Sequence, residues 1–154
     1  MKKFLIYFLT ATGLCLAGQA QAASAEGCNF NIPPLNFGVY SFIQKAPNDS
    51  SNNIKIECQN STVVSVQIGA GQSGTVLNRY MIDAKGNQLK YNLYIDAGRL
   101  GLLGDGNNGS SYFNGQNVGG IGAHPNMIIY GRLFPNQSIP AGSYSDSLVL
   151  NISF

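Results

Sequence analysis

An all-β sandwich is the fold class this sequence predicts, and three observations predict it. Apolar residues recur at every second position in several short runs, the period of a half-buried strand. Clusters of glycine, proline, asparagine and serine punctuate those runs at turn-like intervals. After the first 22 residues no stretch of useful length carries a helical period. Six or seven strands result, in one domain without an internal repeat or a linker.

The N-terminus stands apart from this pattern. Met1-Lys2-Lys3 is basic, Phe4 to Gly18 is apolar, and Ala20-Gln21-Ala22 is a small-x-small cleavage site. The apolar run is too short to span a bilayer comfortably, so a cleaved signal peptide over residues 1–22 is expected, leaving one domain over 23–154. Cys15 lies inside the run, and Thr12-Gly13-Leu14 before it makes a poor lipidation box. Cleavage removes two of the nine basic residues and none of the seven acidic ones, so the remaining chain is formally neutral. Such a balance argues against nucleic acid or an anionic membrane as a partner. Cys28 and Cys58 survive processing, and an exported chain with two cysteines most simply joins them. Closing that loop would stabilise the fold by about 3.5 kcal/mol.

Taken in order, Pro33-Pro34 excludes a central strand, and Leu35, Phe37 and Val39 alternate in a short first strand. Ala46 to Asn53 reads as a polar loop. Ile54, Ile56 and Cys58 alternate with Lys55 and Glu57, and Val64, Val66 and Ile68 follow a turn at Gln59-Asn60-Ser61. Gly69 to Gly74 (GAGQSG) lacks the Lys-Ser/Thr of a phosphate loop and reads as a turn. Val76 to Ile82 is a short strand and Asp83 to Asn87 a turn. Leu89, Tyr91, Leu93 and Ile95 alternate with polar neighbours, and Gly98 to Gly122 forms a long glycine-rich loop region. Met127 to Phe134 is a further strand. The turn at Pro140-Ala141-Gly142 leads into the last one, where Leu148, Leu150, Ile152 and Phe154 share one face. A strand with such an apolar face needs a neighbour from earlier in the chain or from another molecule.

Enzyme chemistry finds little to work with. His124 is the single histidine, sits beside a proline in GAHPN, and has no serine in a nucleophile elbow to serve. Asp83, Asp96, Asp105 and Asp146 are scattered, and nothing in the sequence pairs two of them for acid–base work. Two thiols and one histidine are too few for a metal site, and GDGNNG (104–109) lacks the alternating acidic ligands of a calcium loop. No catalytic residue, metal, cofactor or small-molecule substrate is therefore expected. The Asn-x-Ser/Thr sequons at Asn60, Asn108, Asn136 and Asn151 read as chance matches behind a bacterial-looking leader. Leu100, Leu102 and Leu103 stand among glycines, either plugging one end of the sandwich or forming an exposed apolar contact.

Cys28, LNFGVY (35–40), IKIEC (54–58), LKYNLYID (89–96), GDG (104–106) and AGSYSDSLVLNISF (141–154) together resemble the spore coat protein U-like family, which includes subunits of archaic chaperone–usher pili. The likeness spans nearly all of residues 23–154. Leu103 stands where relatives often carry an aromatic before GDG. The resemblance implies an immunoglobulin-like sandwich lacking its final strand, with Leu148, Leu150, Ile152 and Phe154 lining one wall of an acceptor groove. A periplasmic chaperone strand would fill the groove first, and a neighbouring subunit's N-terminal extension would replace it after passage through an outer-membrane usher. Phe154 would present its terminal carboxylate to basic residues of the chaperone, and the Cys28–Cys58 disulfide carries over.

The resulting expectation is an exported, non-enzymatic subunit of a pilus or surface coat, acting in adhesion or biofilm formation. Only ASAEG (23–27) precedes Cys28 after the expected cleavage, with no large apolar residue to donate, which points to the fibre tip. The alternative is a self-complete secreted binding or coat protein. Its closing strand beside Phe154 would come from the segment around Cys28 or from the glycine-rich stretch.

Overall fold

The computed structural model describes residues 2–8, 27–120 and 125–154, so Cys15, the Ala20-Gln21-Ala22 site and His124 lie outside the described residues. Among the described residues there are nine strands: β1 (Lys2–Phe8), β2 (Cys28–Asn31), β3 (Asn48–Cys58), β4 (Val63–Ile68), β5 (Tyr80–Ile82), β6 (Gln88–Tyr94), β7 (Phe113–Asn117), β8 (Met127–Leu133) and β9 (Asp146–Ser153). One sheet runs β1-β9-β4-β7 and the other β2-β3-β8-β6-β5. Every ladder between neighbouring strands is antiparallel. The chain is an all-β, immunoglobulin-like sandwich. No helix among the described residues is long and apolar enough to cross a membrane.

Strict alternation puts one row of each strand into the core. Val64, Val66 and Ile68 of β4 and Leu148, Leu150 and Ile152 of β9 come from the first sheet. Ile54 and Ile56 of β3, Leu89, Tyr91 and Leu93 of β6, and Met127, Ile129 and Leu133 of β8 come from the second. The β8 row is interrupted at Gly131, where a Cβ would run into the side chains of Leu35 and Phe37. That gap is what lets the Leu35–Phe37 segment lie down on the sheet.

Several expectations need correction. Leu35 to Val39 is not a strand, although Leu35 and Phe37 are buried as the alternation required. The two prolines deny this segment a ladder, and asparagine side chains take its carbonyls instead. Asn52 Nδ2 donates to the Pro34 carbonyl at 2.9 Å, and Asn48 Nδ2 to those of Phe37 and Val39 at 3.0 and 2.8 Å. For the same reason Asn48–Asn53, expected as loop, is the first half of β3, paired residue by residue with β8 from Asn48↔Leu133 onward. The first strand after the expected leader is β2, whose Cys28 stands opposite Cys58 and is bonded to it. Only Tyr80–Ile82 of the expected 76–82 strand is extended, and the glycine-rich region contains β7, paired with β4 across a register shift between Val64 and Val66. Beyond β1 the strands thus number eight rather than six or seven.

Candidate functional site

The feature that bears on partner binding is the edge of β9 that faces away from β4. Its row Leu148, Leu150 and Ile152 is fully buried. On one side β9 pairs with β4, from Ser65↔Ser153 to Ile68↔Leu150, and the Gly69 N–H donates to the Val149 carbonyl at 2.9 Å. Residues of an antiparallel strand present both backbone groups alternately to left and right. Val149, Asn151 and Ser153 therefore face β4 with their N–H and C=O groups, while Leu148, Leu150 and Ile152 face the opposite edge. In the described chain that edge is taken by β1, from Lys2↔Ile152 through Phe4↔Leu150 and Ile6↔Leu148 to Phe8↔Asp146. Neither stretch named for a self-complete sandwich supplies this strand: β2, around Cys28, belongs to the other sheet, and β7, from the glycine-rich region, pairs with β4.

A buried carboxylate fixes where β9 begins. Asp146 Oδ2 accepts the Tyr91 hydroxyl at 2.7 Å, and Oδ1 accepts the N–H groups of Gln72 at 3.0 Å and Ser147 at 2.8 Å. Burial, reinforced by the neighbouring carboxylate, pushes the Tyr91 phenol well above its ordinary pKa, so it stays a donor. Gly71, at φ +69, passes directly over Asp146, and a Cβ there would overlap the carboxylate. The residues before β9 are tied as well: Tyr144 Oη donates to the Pro140 carbonyl at 2.8 Å, and Ser145 exchanges backbone bonds with Ile82. The closing Gly-x-Tyr-x-Asp pattern (142–146) is thus an anchoring device for the strand that follows.

Arg79 secures the neighbouring turn. It is completely buried and donates to the carbonyls of Ile68 (3.2 Å), Gly69 (2.8 Å) and Leu103 (2.9 Å) and to Asn92 Oδ1 (2.9 Å). Burial pulls its pKa down. These bonds join the end of β4, the middle of β6 and the Leu103 loop, and so hold the sheet edge that carries β9. Sequence reasoning passed over Arg79 and saw Asp146 only as one of four scattered aspartates and as part of the closing motif, because the partners of Asp146 lie 55 and 74 residues away.

At the other end, Phe154 lies beyond β9 and is 57% exposed, unlike the three residues that share its period. Its ring meets Phe30 of β2 edge-on, with centroids 6.3 Å apart. The C-terminal end of β9 and the edge strand β2 of the opposite sheet are therefore neighbours here.

The three leucines separate. Leu103 is fully buried, with its N–H donating to the Leu93 carbonyl, and Leu102 is half-buried in a bridge to Tyr94. Leu100 is 91% exposed at the tip of a turn held by Asp96, whose carboxylate accepts the N–H groups of Leu100 and Gly101 and is kept below the usual carboxylate range chiefly by the Gly101 bond. Arg99 beside it reaches Asp49 at 3.3 Å, and Asp49 also holds Arg132 through two contacts of 2.8 Å. A second apolar patch, not anticipated as such, is formed by exposed Val39, Phe42 and Ile43 beside a hollow of about 490 Å³ lined by Phe37, Leu89, Leu133 and Tyr144 among others.

Comparison with known proteins agrees with this geometry. No curated protein sequence matches the chain. Among solved structures, the chain is similar to one in the crystal structure of the CsuC–CsuE chaperone–tip adhesion subunit pre-assembly complex from the archaic chaperone–usher Csu pili of Acinetobacter baumannii. The TM-score is 0.55 at 23% identity, over 82% of this chain and 39% of that one. The chain thus spans about two fifths of the matched chain's length, and the likeness is one of fold. The family model of the Spore Coat Protein U domain matches residues 15–151. With nearly its whole length covered by that model and its sandwich in place, this chain belongs to the Spore Coat Protein U domain family, a family of structural rather than enzymatic proteins.

Proposed function

We propose that the protein is an exported subunit of a chaperone–usher pilus or surface coat, assembled by donation of a strand to the outer edge of β9. One observation carries this reading. The buried row Leu148, Leu150, Ile152 belongs to a strand whose outer edge is completed, among the described residues, by Lys2–Phe8, inside the segment expected to be removed on export. Without that segment, alternate backbone groups of β9 face outward and an apolar row borders the opening, which is the surface that strand addition recognises. The partners are a periplasmic chaperone, an outer-membrane usher and a neighbouring subunit's strand. The printed description of the solved relative as a chaperone–subunit complex supports the first of these.

On this reading the protein works at the cell surface in adhesion or biofilm formation. Processed after Ala22, the chain offers ASAEG ahead of Cys28 and no large apolar residue to donate. This supports an acceptor role at the fibre tip. Exposed Leu100 and the Val39, Phe42 and Ile43 patch are the surfaces for contact.

The reading is tested on the processed chain purified from the periplasm, with and without a peptide carrying another pilus subunit's N-terminal strand. A ligand at a hundred times its Kd stabilises a protein by about 2.7 kcal/mol, which for a domain of this size raises Tm by roughly 8–16 °C. An unchanged Tm, in a domain already stable alone, would reject the acceptor edge.

A further inference from the structure

The strand β7 lies at the edge of the first sheet away from the open side of β9, and its ladder with β4 has a defect. Val64 pairs with Gln116 and Val66 with Phe113, so the single residue Ser65 stands opposite two, Asn114 and Gly115. Such a bulge takes one residue out of the ladder and re-aims the groups around it. Gly115 sits at φ +62, a left-handed conformation suited to glycine. We infer that Asn114-Gly115 is a self-modifying site, at which the folded chain converts Asn114 to an aspartyl or isoaspartyl residue with the Ser65 hydroxyl as proton relay.

Three hydrogen bonds converge there. The Gly115 N–H donates to Ser65 Oγ at 3.2 Å, and the same hydroxyl donates to Asn114 Oδ1 at 3.0 Å. Ser65 thus accepts from the attacking nitrogen and polarises the carbonyl under attack. The Gln116 side-chain amide donates to the Asn114 carbonyl at 2.8 Å. That carbonyl shares a peptide group with the Gly115 N–H, so the bond stabilises the charge left on the peptide as its proton departs. Gly115 brings no side chain to obstruct the approach, and both residues are exposed to water.

The chemistry needs only water as co-reactant. The Gly115 nitrogen attacks Asn114 Cγ and a C–N bond forms. Its proton passes to Ser65 Oγ while the Ser65 proton goes to Oδ1. That proton then moves to the side-chain nitrogen, which leaves as ammonia as the carbonyl re-forms and a cyclic imide closes. Water opens the ring at Cγ to give aspartate, or at the main-chain carbonyl to give isoaspartate. Either product adds one negative charge to a chain that is formally neutral after the expected processing. The isoaspartyl product also lengthens the main chain of β7 by a methylene at its bulge.

A second Asn-Gly pair, Asn108-Gly109, provides an internal comparison. It lies in an exposed turn, and the nearby Ser110 hydroxyl is engaged with the Asn107 carbonyl and Asp105. It has the same local sequence without the relay.

The test follows both pairs by peptide mapping and mass spectrometry in the processed, disulfide-bonded chain, held at mildly alkaline pH either folded or unfolded in guanidinium chloride. Asn114 is expected to convert about tenfold or more faster in the folded chain than in the unfolded one, with isoaspartate among the products, while folding does not accelerate Asn108. S65A is expected to remove that acceleration at Asn114 and leave Asn108 unchanged, whereas S65T, which keeps a hydroxyl, stays close to the parent. Should S65A loosen β7, Asn114 still falls to about the unfolded-chain rate, below the parent. Conversion of Asn114 no faster folded than unfolded would overturn the inference. So would equal rates in the parent and S65A, or an S65T as slow as S65A.

Discussion

Asp146 shows how much of the acceptor edge depends on single buried groups. It lies 55 residues from Tyr91 and 74 from Gln72, so no local pattern could have marked it among the scattered aspartates. Truncating it leaves the buried Tyr91 hydroxyl without an acceptor and removes the tie to the Gln72 N–H. D146A is therefore expected to lower unfolding stability by about 2–4 kcal/mol, seen as a lower urea midpoint with an unchanged slope. The leucines of the 100–103 stretch make the complementary case. L103A empties a fully buried position and should cost about 2–5 kcal/mol, whereas L100S should stay within about 0.5 kcal/mol of the parent in the same measurement. Exposure, not residue type, divides them. A run of leucines among glycines could not say which one faced inward.

At the level of elements, legibility followed the alternation. β4, β6, β8, β9 and the second half of β3 were readable because each buries one apolar row against the opposite sheet. The first half of β3 was not, because its asparagines serve as acceptors' partners for the proline-bearing segment instead of filling the core. Nor was β7, where FNGQN offers a single buried residue, Phe113, to the core. The β9 row of the candidate site was legible; the occupant of its edge was not, since the leader carries the composition of a targeting segment. The turns between strands lean on carboxylates. Asp83 is held below its usual pKa by Asn87 and Asp105 by Asn107 in such turns, and Asp49, within β3, by Arg132 of β8. Groups lowered in the folded state contribute stability above their unfolded pKa and lose it as pH falls through the folded value. Melting should accordingly be flat from about pH 5 to 8 and Tm should fall below about pH 4, as checked by a calorimetric pH series. A Tm that rose on acidification would contradict the assignment of these turns.

For the whole molecule, the sandwich is stapled at one rim, and on the proposed reading the β9 edge is where a partner strand adds. The Cys28–Cys58 bond staples β2 to β3, the anchors at Asp146 and Arg79 hold the start of β9 and the turns around it, and the remaining edge of β9 is the one place where a strand from outside the 27–154 fold completes a sheet. A mechanically firm body with one replaceable strand is what a fibre subunit requires: rigidity within the unit and linkage between units through backbone pairing. The measurement that tests this most directly is calorimetric titration of the processed chain with a donor-strand peptide, repeated with aspartate placed at alternate peptide positions. The account predicts one-to-one binding, weakened by about a hundredfold or more when aspartate occupies the positions opposite Leu148 and Leu150 and tolerated at the intervening ones. Absence of binding, or binding indifferent to which alternate set is changed, would contradict it.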